Sequence, residues 1–231
     1  MIRVISRVTV LFCFVALLIS CGSDGNDRKV FPKPPAGELY VANSLLNTIS
    51  VFDASLKGNV NPSRTFGDLT GLSSPSGIFF DATNNEIFVC NPLRDSITVY
   101  ARSDSGNVNP LRTISGPSTG LDIPHSLSVD SINNEIFVAN INNSIAVYPR
   151  SANGNATPLR KISGDSTCLD QPNGLVIDSP RSEILVSNSQ NDSITFYAMT
   201  DNGNVAPLRV ISGTTVTGLN RPTQVSFFQV V

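Results

Sequence analysis

Apolar residues in this chain fall in short blocks, each closed by Asn, Asp, Gly or Pro, and the blocks recur. One block, Glu86-Ile-Phe-Val-Cys-Asn91, shows the pattern. Glu38-Leu-Tyr-Val-Ala-Asn43 precedes it, and Glu135-Ile-Phe-Val-Ala-Asn140 and Glu183-Ile-Leu-Val-Ser-Asn188 follow. Their first residues lie 48, 49 and 48 positions apart. A period between about 20 and 50 residues marks a repeat architecture. These four glutamates are the only ones in the chain.

The second copy shows what one repeat contains. Strand a is Ser76-Gly-Ile-Phe-Phe-Asp81, and the turn Ala82-Thr-Asn-Asn85 follows it. Asn-Asn supplies the positive φ of a tight hairpin. Strand b is Glu86–Asn91, and residues 92–95 lead to strand c, Ser96-Ile-Thr-Val-Tyr100. A polar segment with Gly106-Asn-Val-Asn-Pro110 reaches strand d, Leu111-Arg-Thr-Ile-Ser115. Residues 116–124 then carry the chain to the next strand a.

Strand b is apolar at successive positions, Ile87, Phe88 and Val89, as a strand covered on both faces is. Four-stranded antiparallel meanders covered on both sides and repeated near 48 residues predict the blades of a β-propeller. A solenoid is the rival, but solenoids carry distinct capping repeats. Here the domain starts at strand b, with Glu38, and finishes at residues 222–228, which match strand a. The two ends complete each other. The expectation is an all-β fold over residues 38–231, a small β-propeller of four four-stranded blades. The N-terminal b, c and d strands and the C-terminal a strand close the ring and remove its sheet edges.

Three motifs carry a family likeness: Pro-x-Gly-Φ-x-Φ-Asp, Glu-Ile-Phe-Val-x-Asn, and Asn/Asp-Ser/Thr-Ile-x-Val-Tyr/Phe. Together they resemble the NHL and YVTN class of bacterial β-propeller repeats. The resemblance covers residues 38–231 and implies the fold. Many members of that class have six or seven blades, where this chain has material for four. Function must be argued from a site.

Ahead of the repeats, Arg3 and Arg7 precede an apolar run from Val8 to Ile19 that is short for a membrane span. It reads as a secretory signal over residues 1–20. The run ends in Leu18-Ile-Ser-Cys21, which resembles the bacterial lipobox and implies lipid attachment at Cys21. Gly22 after the cysteine implies, by resemblance to enteric lipoproteins, the outer membrane of a bacterial envelope. Residues 21–37, rich in Gly, Ser, Asp and Pro, read as a tether.

Composition narrows the partners. With 40% hydrophobic and 15% charged residues the chain is globular. Removing Arg3 and Arg7 leaves 14 basic against 18 acidic side chains, a net charge of −4. No basic run appears, which argues against nucleic acid. The expected partners are a membrane, through the anchor, and a protein or small-molecule ligand.

Some recurring residues read as scaffold. Asn43, Asn91, Asn140 and Asn188 end strand b and are expected to turn the backbone there. Asp81, Asp130 and Asp178 end strand a and set its hairpin. Glu38, Glu86, Glu135 and Glu183 are expected to pair with Arg64, Arg112, Arg160 and Arg209 of strand d. Cys90 reads as a small packed residue, and Cys168 stands where other copies have glycine.

The candidate ligand site is the ring of positions that recur in place but vary in identity. After the proline that opens strand a come Ser76, His125, Asn173 and Thr223. The next position holds Gly77, Ser126, Gly174 and Gln224. A varied polar ring at a channel mouth is the expected ligand site, through Ser76, His125, Asn173, Thr223 and Gln224. His125 is the only histidine. The ring offers no carboxylate, so neither a hard-cation site nor a zinc site assembles from it, and no cofactor is expected. The reading is a binding or interaction module acting through the face of the b–c and d–a loops. The alternative is a hydrolase or lyase of the propeller-lactonase kind, with His125 as acid or base. Similar propeller enzymes fix both expectations: gluconolactonases gather carboxylates around a metal, and streptogramin lyases use a histidine-centred site.

Overall fold

The computed structural model describes residues 37–67 and 71–226. The expected signal, the expected lipid site at Cys21 and nearly all of the expected tether lie outside the described residues.

The chain forms a small β-propeller of four blades. The first holds β1 (Glu38–Asn43), β2 (Thr48–Asp53) and β3 (Arg64–Gly67). The second holds β4 (Ile78–Asp81), β5 (Glu86–Asn91), β6 (Ser96–Ala101) and β7 (Arg112–Ile114). The third runs from β8 (Pro124–Asp130) through β9 (Glu135–Asn140) and β10 (Ser144–Pro149) to β11 (Arg160–Ser163). The fourth runs from β12 (Pro172–Asp178) through β13 (Glu183–Asn188) and β14 (Ser193–Ala198) to β15 (Arg209–Ser212). Every blade is an antiparallel meander in chain order. Hairpins fix the register: Asp81 faces Glu86, and Asp130 faces Glu135. Asp81 Oδ1 accepts from the backbone N–H groups of Thr83 and Asn84, which is the hairpin role expected of it.

Among the described residues the first blade holds the three strands β1, β2 and β3. Among the described residues, 222–226 show no strand pairing and β1 pairs only with β2. The segment instead runs beside β12: a Cβ on Gly174 would lie 2.8 Å from Gln224 Cα. It therefore follows the fourth blade as an inner strand would. Residues 227–231 lie outside the described residues.

The two-sided apolar pattern of strand b has a direct cause. Ile87 and Val89 pack with Ile49, Val51 and Phe66 of the first blade. Phe88 and Cys90, on the other face, pack with Leu127, Ile136 and Val138 of the third. Each of these side chains is fully or nearly fully buried, and burying one aliphatic or aromatic side chain stabilises by about 1.5–3 kcal/mol. The core is therefore a series of layers between blades.

Outer strands are joined by a repeated clasp. Gly106 donates its N–H to Thr65 O at 2.8 Å, Gly154 to Thr113 O at 2.6 Å, and Gly203 to Lys161 O at 2.8 Å. Each pairs in parallel with a buried residue of the preceding blade: Phe66, Ile114 and Ile162. Gly154 holds φ 65°, which a side chain would resist.

The glutamates and arginines meet as expected. Arg112 grips Glu86 with two hydrogen bonds of 2.7 and 2.9 Å, and Arg160 grips Glu135 at 2.9 and 2.6 Å. Arg64 reaches Glu38 at 2.6 Å and Arg209 reaches Glu183 at 2.7 Å. Two pairs also cross between blades, Arg102 to Glu38 at 2.8 Å and Arg150 to Glu86 at 2.6 Å. Burial pushes the Glu38 carboxyl up. The hydrogen bonds from Arg64, Arg102 and Tyr40 outweigh that and hold it at about 2, against an ordinary 4.5. A carboxylate held low in the fold stabilises it above the unfolded value and stops doing so as pH falls through the folded one. Parent stability should therefore decline from about pH 4.5 toward 2, and Glu38→Gln should flatten that slope in urea titrations read by circular dichroism. Glu86→Gln should cost about 1–3 kcal/mol at neutral pH in the same titrations, as the loss of charged hydrogen bonds does.

Candidate functional site

The inner strands β4, β8 and β12 pack side by side, and their first residues lie on the face that carries the b–c turns. Glycine permits the close approach: a Cβ on Gly77 would stand 2.6 Å from His125 O and 2.9 Å from Ser126 Cα. Ser126 Oγ accepts from the backbone N–H of Leu175 at 3.1 Å, one blade on.

His125 and Asn173 are set by β-bulges. In the third blade Pro124 faces Asn140 and Ser126 faces Ala139, so His125 is the extra residue. In the fourth, Pro172 faces Asn188 and Gly174 faces Ser187, so Asn173 is the extra one. A bulge bends the strand and re-aims its side chain. Here the three ring residues line up. Ser76 Oγ donates to His125 O at 3.0 Å, and His125 Nδ1 lies 3.1 Å from Asn173 O. A carbonyl oxygen only accepts, so Nδ1 carries the proton and Nε2 of the neutral ring keeps its lone pair. Asn173 Nδ2 donates to Ser189 Oγ at 3.1 Å. All three side chains are half-buried.

Of the expected ring, the structure thus joins Ser76, His125 and Asn173 in one hydrogen-bonded line. Gln224 sits next, against Gly174, and Thr223 adjoins it; both are exposed.

The strand-b asparagines act differently from the expectation of a local turn. Asn91, Asn140 and Asn188 each accept, through Oδ1, the N–H of a residue 18 positions earlier: Ser73, Asp122 and Asp170. They clamp the d–a loop to the end of strand b. The b–c turns supply a second clamp. Asn47, Asp95, Asn143 and Asp192 each accept from the following d–a loop, at 2.6–2.7 Å. All four hold positive φ, which Asn and Asp tolerate.

The same turns present a feature that reading the strands had passed over. Leu45 is 96% exposed and Leu93 77% exposed, with Leu46 and Ile123 also uncovered. They occupy the b–c turns of the first two blades and the loop beside Asp95. The signal was present: the later copies carry Asn142-Asn143 and Gln190-Asn191 in those turns. Next to Leu93, a cleft of about 300 Å³ is lined by Arg94, Ser96, Thr98, Thr113 and Ser115, with Gly71. A wider cleft on the opposite face, of about 600 Å³, holds Glu38, Arg64, Glu86 and Arg102. Those four charges answer one another or a neighbouring arginine.

Among the described residues no three His, Cys, Asp or Glu side chains stand close enough to hold a metal ion. Cys90 is buried, and burial pushes its thiol far up; Cys168 is exposed, and neither forms a disulfide.

These features define a β-propeller with a polar, blade-to-blade line at its centre and an apolar loop face beside it. Residues 28–166 match the model of the family described as lactonase, 7-bladed β-propeller, and the chain belongs to that family. Curated proteins give no match. Among solved structures, hydrazine synthase of Kuenenia stuttgartiensis is similar over 76% of this chain and 46% of its own, at 17% identity and a TM-score of 0.57. A functionally unknown protein from Desulfotomaculum acetoxidans DSM 771 is similar over 82% of this chain and 60% of its own, at 14% identity and a TM-score of 0.55. The chain therefore spans about half the length of these structures, and at such identities they speak for the fold alone.

The bond from His125 Nδ1 separates scaffold from chemistry. His125→Ala should lower stability by about 0.5–1.5 kcal/mol, measured as a shift in the urea midpoint. His125→Asn, whose Nδ2 replaces the donor, should restore most of it. It removes the free Nε2, and any ligand binding or turnover that needs Nε2 should stay lost.

Proposed function

We propose that this protein is a lipid-anchored binding module of the bacterial envelope, and that it engages its ligand through the face of the b–c turns and d–a loops. The observation that carries the reading is the exposed Leu45, Leu46, Leu93 and Ile123 on one face, beside a polar cleft. Exposed apolar side chains grouped with polar ones mark an interaction surface. The clamps from Asn47 and Asp95 support it, because a fixed surface loses little entropy on binding. The repeat motifs keep their likeness to NHL and YVTN repeats, the lipobox-like Leu18-Ile-Ser-Cys21 supports the anchor, and Gly22 after it supports an outer-membrane address.

Family membership favours a second reading, hydrolysis of a lactone at the centre of the disc. His125 Nε2 would be its base, drawing a proton from water, with the carbonyl oxygen of Asn173 orienting the ring through Nδ1.

Two measurements test these readings. Cys21→Ser should release the protein from the membrane fraction or block its processing; unchanged fractionation removes the anchor. A photo-crosslinking side chain at Leu93 should give a discrete adduct in intact cells, abolished by Leu46→Asp, while one at Leu159 on the far side should give none. Equal labelling from both positions overturns the loop-face reading. Turnover of a simple δ-lactone by the full chain, lost in His125→Asn, would replace it with the second.

A further inference from the structure

Each blade covers the next through one set of contacts. That set has a further copy whose two halves stand uncovered at opposite ends of the described chain. On the leading side, Ile87, Ile136 and Ile184 are fully buried against the preceding blade, whereas Leu39 at that position is 54% exposed. Phe52 is half-buried where Tyr100, Tyr148 and Tyr197 are fully buried. On the trailing side, Ile114 and Ile162 are fully buried beneath Gly154 and Gly203, whereas Ile211 is 47% exposed.

The clasp repeats this asymmetry. Gly58 stands where Gly106, Gly154 and Gly203 stand in the other repeats, and it has no bridge partner among the described residues. Gly213 has nothing within 4 Å of an added Cβ, whereas Gly116 and Gly164 meet the side chains of Asn155 and Asn204. Asn59 holds the matching position in the first blade. The inner strands match in the same way. Among the described residues β1 lacks an inner neighbour, while residues 222–226 follow β12 as such a neighbour would, fixed by the N–H of Arg221 on Asp192 at 2.6 Å.

We propose that two copies of this chain close head to tail into one eight-bladed ring. In it Gly58 of each copy clasps Ile211 of the other. Residues 222–226 of each supply the missing inner strand of the partner's first blade. The occupant is a second copy because every uncovered group on one end has its counterpart on the other, in the register the three internal junctions already use. A two-fold axis along the disc satisfies both junctions at once and leaves no open end. Eight blades lie within the range propellers adopt, and the turn per blade falls only from about 51° in a seven-bladed ring to about 45°. The inference stands apart from the proposed function, since it concerns blade faces and not the loop face.

The test is the mass of the full chain in detergent, by sedimentation with the detergent contribution removed. The parent should run at twice the mass of one processed chain. Ile211→Asp and Leu39→Asp, each on one half of the junction, should halve that mass and leave the far-ultraviolet circular dichroism unchanged, because both side chains are already exposed in the single chain. A parent that runs as a single copy overturns the proposal. So does a two-copy mass that both variants leave intact, which would place the contact elsewhere. An intramolecular disulfide in a single-copy chain carrying Gly58→Cys and Ile211→Cys also overturns it, in favour of a ring that closes on itself.

Discussion

A four-stranded meander of this kind cannot bury its own apolar surface. Strand b of every repeat carries large aliphatic or aromatic side chains on both faces, and only a neighbouring blade on each side removes them from water. The rest of the molecule follows from that constraint. The clasp glycines bring the outer strands together, Gly77 and Gly174 let the inner strands touch, and the asparagine clamps hold the loops between them. Stability is thus a sum of junctions, as in other repeat arrays. A change at one junction loosens a blade pair before it loosens the whole.

The candidate site is built from the same junctions. Ser76 and His125 spend a donor each on the backbone of the following blade, so the residues best placed to meet a ligand also tie the inner strands. Their positions are therefore fixed before any ligand arrives. Fixed polar groups discriminate among ligands by what they leave unpaired. The glutamate–arginine pairs lie on the other face, where two of the glutamates bind arginines of two successive blades. That face is held by ion pairs and this one by hydrogen bonds between side chains and backbone.

Much of the architecture was legible because each repeat writes it again. The blade order, the hairpins at Asp81 and Asp130, and the pairing of Glu86 with Arg112 follow from recurrence and strand period alone. The place of residues 222–226 beside β12 agrees with their match to strand a, although a matching sequence does not say which neighbour a segment pairs with. The role of Asn91 was misread for a related reason: its partner, the N–H of Ser73, lies 18 residues away on a loop that spacing does not bring near. For the site, the ring positions were legible as variable polar residues. The bulges that aim His125 and Asn173 were not, since an extra residue in a ladder shows only when both strands are paired. The loop-face leucines were visible in the turns but carried no periodic signal.

The sameness of the junctions bears on how such a chain changes over generations. Recombination between two of its similar units of 48 or 49 residues inserts or deletes a whole blade in frame. The product meets its neighbours through the glycine clasp and inner-strand contacts already in place, with no new complementarity to be found by mutation. Blade number in this architecture is therefore free to drift while the blade itself stays constant. A gene with this layout can change the size of its disc in one step.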